Sequence, residues 1–182
     1  LACVMNAIGQ THPSPVDSVL LYGAGPIGLT FIRVLKLFGI RHLIVTAKGA
    51  QRVQEAKACG ADVVVDTETE QVEQVMRAHW PYGADLVIDA VGRGPILSEA
   101  LPLMNPKGRL VLFGLDNNAR TTLSPAIFTL NELSVFGVLG KDFPSALEML
   151  QSPDLHLKKF ITHRLSLEDI HQGLDAMRKK EA

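Results

Sequence analysis

Val19-Leu20-Leu21-Tyr22-Gly23-Ala24-Gly25-Pro26-Ile27-Gly28 is the stretch that decides how this chain is read. An apolar run leads into three glycines spaced G-x-G-x-x-G, and a helical pattern follows over residues 29–38. Gly23 lets the chain turn sharply out of a strand. Gly25 removes a side chain where backbone must approach a phosphate. Gly28 lets the next helix pack close to the strand. Pro26 suits a first-turn position, where its missing N–H is not needed. Ile27, Phe31, Val34, Leu35 and Phe38 form one apolar face, and Gly39 follows as a helix stop. The helix N-terminus offers backbone N–H groups and a partial positive charge to the pyrophosphate of a dinucleotide. Three glycines alone are a weak signal; the strand before and the helix after raise it. The alternative is a buried strand–helix corner that binds nothing.

Outward from this motif, strand and helix alternate. Apolar runs at 43–46, 63–66, 86–89, 110–113 and 133–138 read as five further strands. Between them, residues 50–59 form a helix stopped by Gly60, and 70–79 and 95–104 read as two more, the last ended by a turn at Asn105-Pro106-Lys107-Gly108. Strands this apolar on both faces belong in a parallel sheet covered by helices. The expected fold is therefore α/β, a Rossmann-like doubly wound sheet of six parallel strands with helices on both faces. Residues 1–150 would form this domain. The tail, 151–182, differs: residues 160–163 read as a short strand, and Ser166 reads as the cap of a last helix, with Asp169 three residues on.

Composition narrows the function. The 182 residues are 47% hydrophobic, enough for a substantial core, and carry a net charge of −1. That charge supplies no basic field for nucleic acid and no reason to expect a membrane surface. No apolar run reaches the roughly 20 residues that span a bilayer. Two cysteines, Cys3 and Cys59, are too few for a disulfide framework or a cysteine-ligated zinc, so a reducing compartment, the cytoplasm, is expected. The six histidines are scattered without ligand spacing, so no metal site is expected in this chain. Residues 1–7 read as the middle of a helix, and the chain is expected to be part of a longer protein.

Several stretches together carry a family resemblance. They are residues 19–28, Ala56-Lys57-Ala58-Cys59-Gly60-Ala61-Asp62, residues 83–92, Pro106-Lys107-Gly108-Arg109-Leu110-Val111, and Ile161-Thr162-His163-Arg164. In this order and spacing the chain resembles the cofactor-binding half of the medium-chain alcohol dehydrogenase/reductase superfamily. Leu1-Ala2-Cys3 is similar to a segment of its zinc-type, polyol-dehydrogenase-like branch. The resemblance implies a hydride-transferring oxidoreductase acting on a small alcohol or carbonyl substrate. It also implies a GroES-like catalytic domain outside this sequence, against which the tail would pack. Catalytic zinc, its ligands and every catalytic residue would lie in that domain, so this chain alone would bind nucleotide without turnover. Zinc-free quinone reductases share the same half and stay open as an alternative.

The resemblance also implies which residues meet the cofactor. Gly23, Gly25, Pro26, Ile27 and Gly28 would hold the pyrophosphate. Val91 and Gly92 resemble the loop over the adenosine. Phe113, Gly114 and Leu115, with Val138 and Leu139, resemble segments that bond the nicotinamide carboxamide through backbone. An NAD-preferring site wants an acid about 20 residues past the glycines, on the ribose hydroxyls. Aligned on the family, that position is Ala47, and no acid lies between Thr46 and Arg52. Lys48 and Arg52 could meet a 2′-phosphate instead, so NADP(H) is favoured over NAD(H). Asp66 and Asp89 end strands at the ligand edge, but each is as readily a turn cap. The last strand, near Val135, would be an exposed edge that could pair a homodimer. Two other classes stay open. A methyltransferase using S-adenosylmethionine also begins with a glycine-rich turn, but it usually carries an acid before the first Gly, where this chain has Leu20-Leu21-Tyr22. A non-catalytic nucleotide sensor could keep the same fold.

Overall fold

The computed structural model of this chain describes residues 1–179. Helix α1 (Ala2–Thr11) precedes β1 (Ser18–Tyr22), α2 (Pro26–Leu37), β2 (His42–Ala47), α3 (Ala50–Cys59), β3 (Val63–Asp66), α4 (Val72–His79) and β4 (Ala84–Asp89). Then come α5 (Gly94–Ala100), β5 (Met104–Leu112), α6 (Ala126–Leu130), β6 (Ser134–Gly137), α7 (Phe143–Met149) and α8 (Ile170–Lys179). The six strands form one sheet in the order β3-β2-β1-β4-β5-β6, and every pair is parallel. This is the doubly wound arrangement expected from the alternating pattern. Strand order reverses between β1 and β4, and the crevice for a ligand opens there, at the carboxyl ends of the strands.

Alternation along β1 splits the core in two. Val19 and Leu21 face one layer with Phe31, Leu35 and Val45, beneath α1, α2 and α3. Leu20 and Tyr22 face the other, with Ile44, Val65, Met76 and Leu110, beneath α4 and α5. All five residues of β1 are buried, the pattern of a strand covered on both faces. Arg109 in β5 ties the outer end of α1 down, donating to the Thr11 carbonyl and pairing with Asp17. No helix among the described residues is long and apolar enough to cross a membrane.

Several element limits differ from the sequence reading. The helix expected over 95–104 ends at Ala100, and Leu101–Leu103 forms a 3-10 turn. Pro102 has no N–H to continue the α ladder, which accounts for the change. Met104 then already pairs with Ala84, so 105–108 is an irregularity within β5 rather than a turn before it. Lys107 sits there at φ 64. Helix α6 was not expected, and the last strand starts at Ser134 rather than at 133.

The tail departs most. Leu157–Phe160 is a 3-10 turn and 161–166 has no regular structure, so the strand expected over 160–163 does not form. A strand needs a partner, and neither sheet edge, β3 or β6, pairs with this segment. The Ser166 hydroxyl donates to the Asp169 carboxylate rather than capping a helix at that point, and α8 begins only at Ile170. Residues 180–182 of the tail lie outside the described residues.

Candidate cofactor site

The glycine turn leaves β1 with Gly23 at φ +98, and its N–H donates to both the carbonyl (3.2 Å) and the hydroxyl (3.1 Å) of Thr46 in β2. Any Cβ at Gly23 would lie 2.6 Å from Val91 Cγ2 and strain a left-handed backbone. A Cβ at Gly28 would lie 1.9 Å from the Gly23 carbonyl oxygen, so this glycine lets α2 seat against the turn. Gly25 is different: a Cβ there would meet nothing within 4 Å. Its lack of a side chain is not needed for packing. It keeps space open at the helix end.

That end is the N-terminus of α2. Gly25 is the N-cap, no side chain caps the helix, and the first intrahelical bond runs from Leu29 N–H to the Gly25 carbonyl at 2.8 Å. Pro26 has no N–H, so the amides of Ile27 and Gly28 have no intrahelical acceptor and face the crevice. Ile27 is 40% exposed beside them. A phosphate group is what such an end binds.

On the β2 side, Ala47 is buried, and its carbonyl accepts from the N–H (2.9 Å) and hydroxyl (3.2 Å) of Thr67. Arg52, in the first turn of α3, lines a cavity of about 340 Å3 together with Gly25 and Pro26. Arg33, Glu55 and Lys159 also line it. Lys48 is outside this cavity, exposed, with its ammonium 3.9 Å from the Glu68 carboxylate. The structure therefore brings Arg52 to the glycine turn but sets Lys48 against an acid.

On the β4–β6 side, two loops close on each other. Gly92 stands at φ +84, and a Cβ there would lie 2.5 Å from the Gly114 carbonyl carbon. A Cβ at Gly114 would lie 2.1 Å from the Gly92 nitrogen. The backbones meet with no room for side chains. Asp89 holds this arrangement: its Oδ1 accepts from the N–H groups of Val91 (2.8 Å) and Gly92 (2.9 Å), and its carbonyl accepts from those of Phe113 (3.0 Å) and Gly114 (2.8 Å). Burial of the Asp89 carboxyl raises its pKa, against the pull of the Gly92 and Val91 hydrogen bonds. Of the two readings open for Asp89, ligand-edge acid and turn cap, these bonds to Val91 and Gly92 make it the cap.

Gly92, Phe113, Gly114, Leu115, Val138 and Leu139 share a cavity of about 420 Å3 at the ends of β4, β5 and β6. Val138 is buried, Leu139 and Leu115 are exposed, and Phe113 packs edge-on to Phe31 with ring centroids 5.1 Å apart. Val91 is 37% exposed and sits over Gly23 instead. Two groups escaped the sequence reading. Thr46 pins Gly23, and Tyr22 faces a groove of about 520 Å3 between α4 and α5. Burial first, then the charges of Glu99 and Asp89, push the Tyr22 hydroxyl well above the usual phenol range, so it stays protonated.

The crevice fits a dinucleotide: an uncapped helix end, a bare Gly25 and a cavity on each side. It does not fit a resident metal. Among the described residues, no group of three His, Cys, Asp or Glu gathers where it could hold an ion.

The comparisons with known proteins agree with this geometry. The model of the zinc-binding dehydrogenase family matches residues 26–152. The chain is 31% identical over 172 residues to the starvation-sensing protein RspB of Escherichia coli K12, covering 93% of this chain and 50% of that protein. It is 31% identical over 182 residues to D-arabitol-phosphate dehydrogenase of Enterococcus avium, covering 96% and 51%. The chain thus spans about half the length of the curated relatives it matches. Among solved structures, an alcohol dehydrogenase (rspB) from E. coli CFT073 in complex with NADH superposes with a TM-score of 0.90 at 29% identity, covering 97% of this chain and 53% of that one. Alcohol dehydrogenase TADH from Thermus sp. ATN1 superposes with a TM-score of 0.88 at 28% identity, covering 100% and 54%. With a family match over most of its length and a six-stranded sheet shared with these enzymes, the chain belongs to the zinc-binding dehydrogenase family.

Proposed function

We propose that this chain is the nicotinamide-dinucleotide-binding part of an oxidoreductase that moves hydride between the cofactor and a small alcohol or carbonyl substrate. One observation carries the reading: Gly25 faces open space at an uncapped helix N-terminus, while Gly23 and Gly28 on either side are locked by contacts. A bound nicotinamide ring supplies the hydride acceptor or donor. The chain's own residues bind and orient. The Ile27 and Gly28 amides hold the pyrophosphate, the backbone of 113–115 and 138–139 fixes the carboxamide end, and Asp89 keeps the 91–92 loop in register with 113–114.

NADP(H) is the preferred form on this reading. Ala47 offers no carboxylate to the ribose hydroxyls, and Arg52 lines the cavity beside the glycine turn, from which it could bond a 2′-phosphate on that ribose. A second reading, NADH preference, is favoured by Glu68. Its carboxylate lies beside Lys48 and 3.6 Å from where a Cβ of Gly49 would stand. Calorimetric titration with NADPH, NADH and S-adenosylmethionine separates these. NADPH binding tighter than NADH supports the first reading and the reverse supports the second. Binding of S-adenosylmethionine alone overturns both. Ala47→Asp is expected to shift the preference toward NADH by about tenfold.

The rest of the reading follows the relatives. The tail would pack against a catalytic domain carrying the substrate pocket and any zinc. A cavity of about 650 Å3 beneath α8 presents Ile161, Leu165, Leu167 and Met177 for such a surface. Strand β6 lies at a sheet edge with Val135 43% exposed, which supports pairing of two copies there. A cytoplasmic setting goes with the two free thiols.

A further inference from the structure

The cavity of about 340 Å3 beside the glycine turn is walled by three elements: α2, α3 and the 3-10 turn of the tail, which brings Lys159 and Phe160 to it. It runs well past the helix end that would hold a pyrophosphate. Arg33 lies two turns beyond Pro26 in α2, about 10 Å along the axis. Cys59, facing the same cavity, is the last residue of α3.

The lining is unbalanced in charge. Arg33, Arg52 and Lys159 stand against one acid, Glu55. None of the three cations has an ion pair among the described residues. Glu55 takes its hydrogen bond from the Gln51 amide, at 2.9 Å. Arg33 is the least satisfied of the group. Its Nε is buried with no hydrogen-bond partner among the described residues, and its Nη2 reaches the Ala58 carbonyl only at 3.5 Å. A buried guanidinium N–H without an acceptor is costly. Arg33 and Lys159 also converge. Burial raises the pKa of the Cys59 thiol, and the charge of Arg33 and, less strongly, that of Lys159 pull it down. A phosphate group supplies what this lining lacks: two negative charges, and oxygens for a guanidinium fork and an ammonium at once. The space is of small-molecule size, and Leu29 and Phe160 give it an apolar wall for the organic part of a ligand.

We infer that Arg33 and Lys159 hold the phosphate of a small phosphate monoester between α2, α3 and the tail, at a site separate from the dinucleotide. The inference goes beyond the proposed function and does not rest on it. A ligand bound there ties the tail to the two helices. The test is calorimetric titration of the chain, Arg33→Gln and Lys159→Gln with glycerol 3-phosphate and with inorganic phosphate, at constant ionic strength. Each titration is repeated with saturating NADH and with saturating NADPH. Glycerol 3-phosphate should bind, and inorganic phosphate more weakly, because it leaves the apolar wall empty. Each substitution should weaken that binding about tenfold and leave NADH affinity unchanged. Lys159 is exposed on the tail, so Lys159→Gln reads the site without disturbing the core. Amide hydrogen exchange over 157–162 should slow when glycerol 3-phosphate binds. Absence of binding overturns the inference, as does binding that survives either substitution. Equal affinity for the two probes overturns a monoester as the ligand. Displacement by NADH puts the anion at the pyrophosphate's place, and displacement by NADPH alone puts it at the 2′-phosphate's; either overturns a separate site. If NADH does not bind while glycerol 3-phosphate does, the proposed function falls and this site stands.

Discussion

The two ends of strand β4 carry an aspartate each, four residues apart, and the fold treats them in opposite ways. Asp85, at the amino end, is opposed by burial but receives three hydrogen bonds, on both of its oxygens. These come from the Ser18 N–H (2.9 Å), the Ser18 hydroxyl (2.7 Å) and the Asn105 amide (2.8 Å). Together with the nearby charge of Arg109, they hold its pKa below the ordinary carboxylate value. Asp89, at the carboxyl end, is more deeply buried, and burial wins over its two hydrogen bonds to raise its pKa. The first end is closed and paired. The second is left with a bare glycine, an unpaired phenol and an uncapped helix. The fold concentrates its hydrogen bonds at one end of the sheet and leaves open space and free helix amides at the other, the end proposed to bind.

The largest expected effect lies where the two functions meet. Gly28→Ala places a Cβ against backbone that cannot yield, so α2 must shift. A loss of about 3 kcal/mol in unfolding free energy is expected, together with loss of dinucleotide binding. Denaturant unfolding and titration of the same sample check both. Retained stability would mean that α2 moves freely, and the glycine turn would no longer define the site.

Asp85→Asn comes next. Both oxygens of Asp85 face donors, so an amide there must turn its NH2 toward one of them. About 1–3 kcal/mol should be lost at neutral pH. Asp89→Asn should cost under about 1 kcal/mol, because both of its recorded side-chain bonds fall on one oxygen, which asparagine keeps. The pH dependence should separate the pair further. A lowered pKa contributes stability above the unfolded value, and this is lost as pH falls through the folded value. The gap between the unaltered chain and Asp85→Asn should therefore close in the acid range. A raised pKa works the other way. The folded chain binds the Asp89 proton more tightly, so its contribution is present at low pH and lost as pH rises through the folded value. Urea unfolding across the acid range checks both signs. An Asp85→Asn gap that stays constant with pH would break the contrast between the ends.

Gly25→Ala should be the mildest for the fold. Nothing lies within 4 Å of the added methyl, so stability should change by less than about 0.5 kcal/mol. Dinucleotide affinity should still fall by about tenfold, since the methyl enters the space a phosphate needs. A variant that binds as tightly as the unaltered chain would remove the observation on which the proposed function stands.

Much of this was legible in the residues themselves. The five apolar runs after β1 fall on five observed strands, and the glycine spacing places a turn between β1 and α2. Local patterns suffice there because a strand buried on both faces and a helix with one apolar stripe are written in consecutive residues. The misreadings share a cause. The stretch 160–163 is apolar enough for a strand but has no neighbouring edge to bond. The stretch 105–108 looks like a turn, yet Met104 before it and Arg109 after it both pair with β4, so it bulges within a strand. Whether a segment becomes a strand depends on a partner far away in the chain.

The site divides in the same way. The amino-acid order by itself determined the alternation of strands and helices, the three glycines, and the absence of an acid between Thr46 and Arg52. These are properties of neighbouring residues, and periodicity exposes them. Only the tertiary structure decided that Thr46 pins Gly23, that Lys48 meets Glu68 while Arg52 lines a cavity with the turn, and that Tyr22 is buried with no hydrogen-bond partner for its hydroxyl among the described residues. It also decided that Ser18 and Asn105 converge on Asp85. Each of these depends on the strand order β3-β2-β1-β4-β5-β6. That order brings residues from distant parts of the chain within hydrogen-bonding distance, where burial and charge take effect.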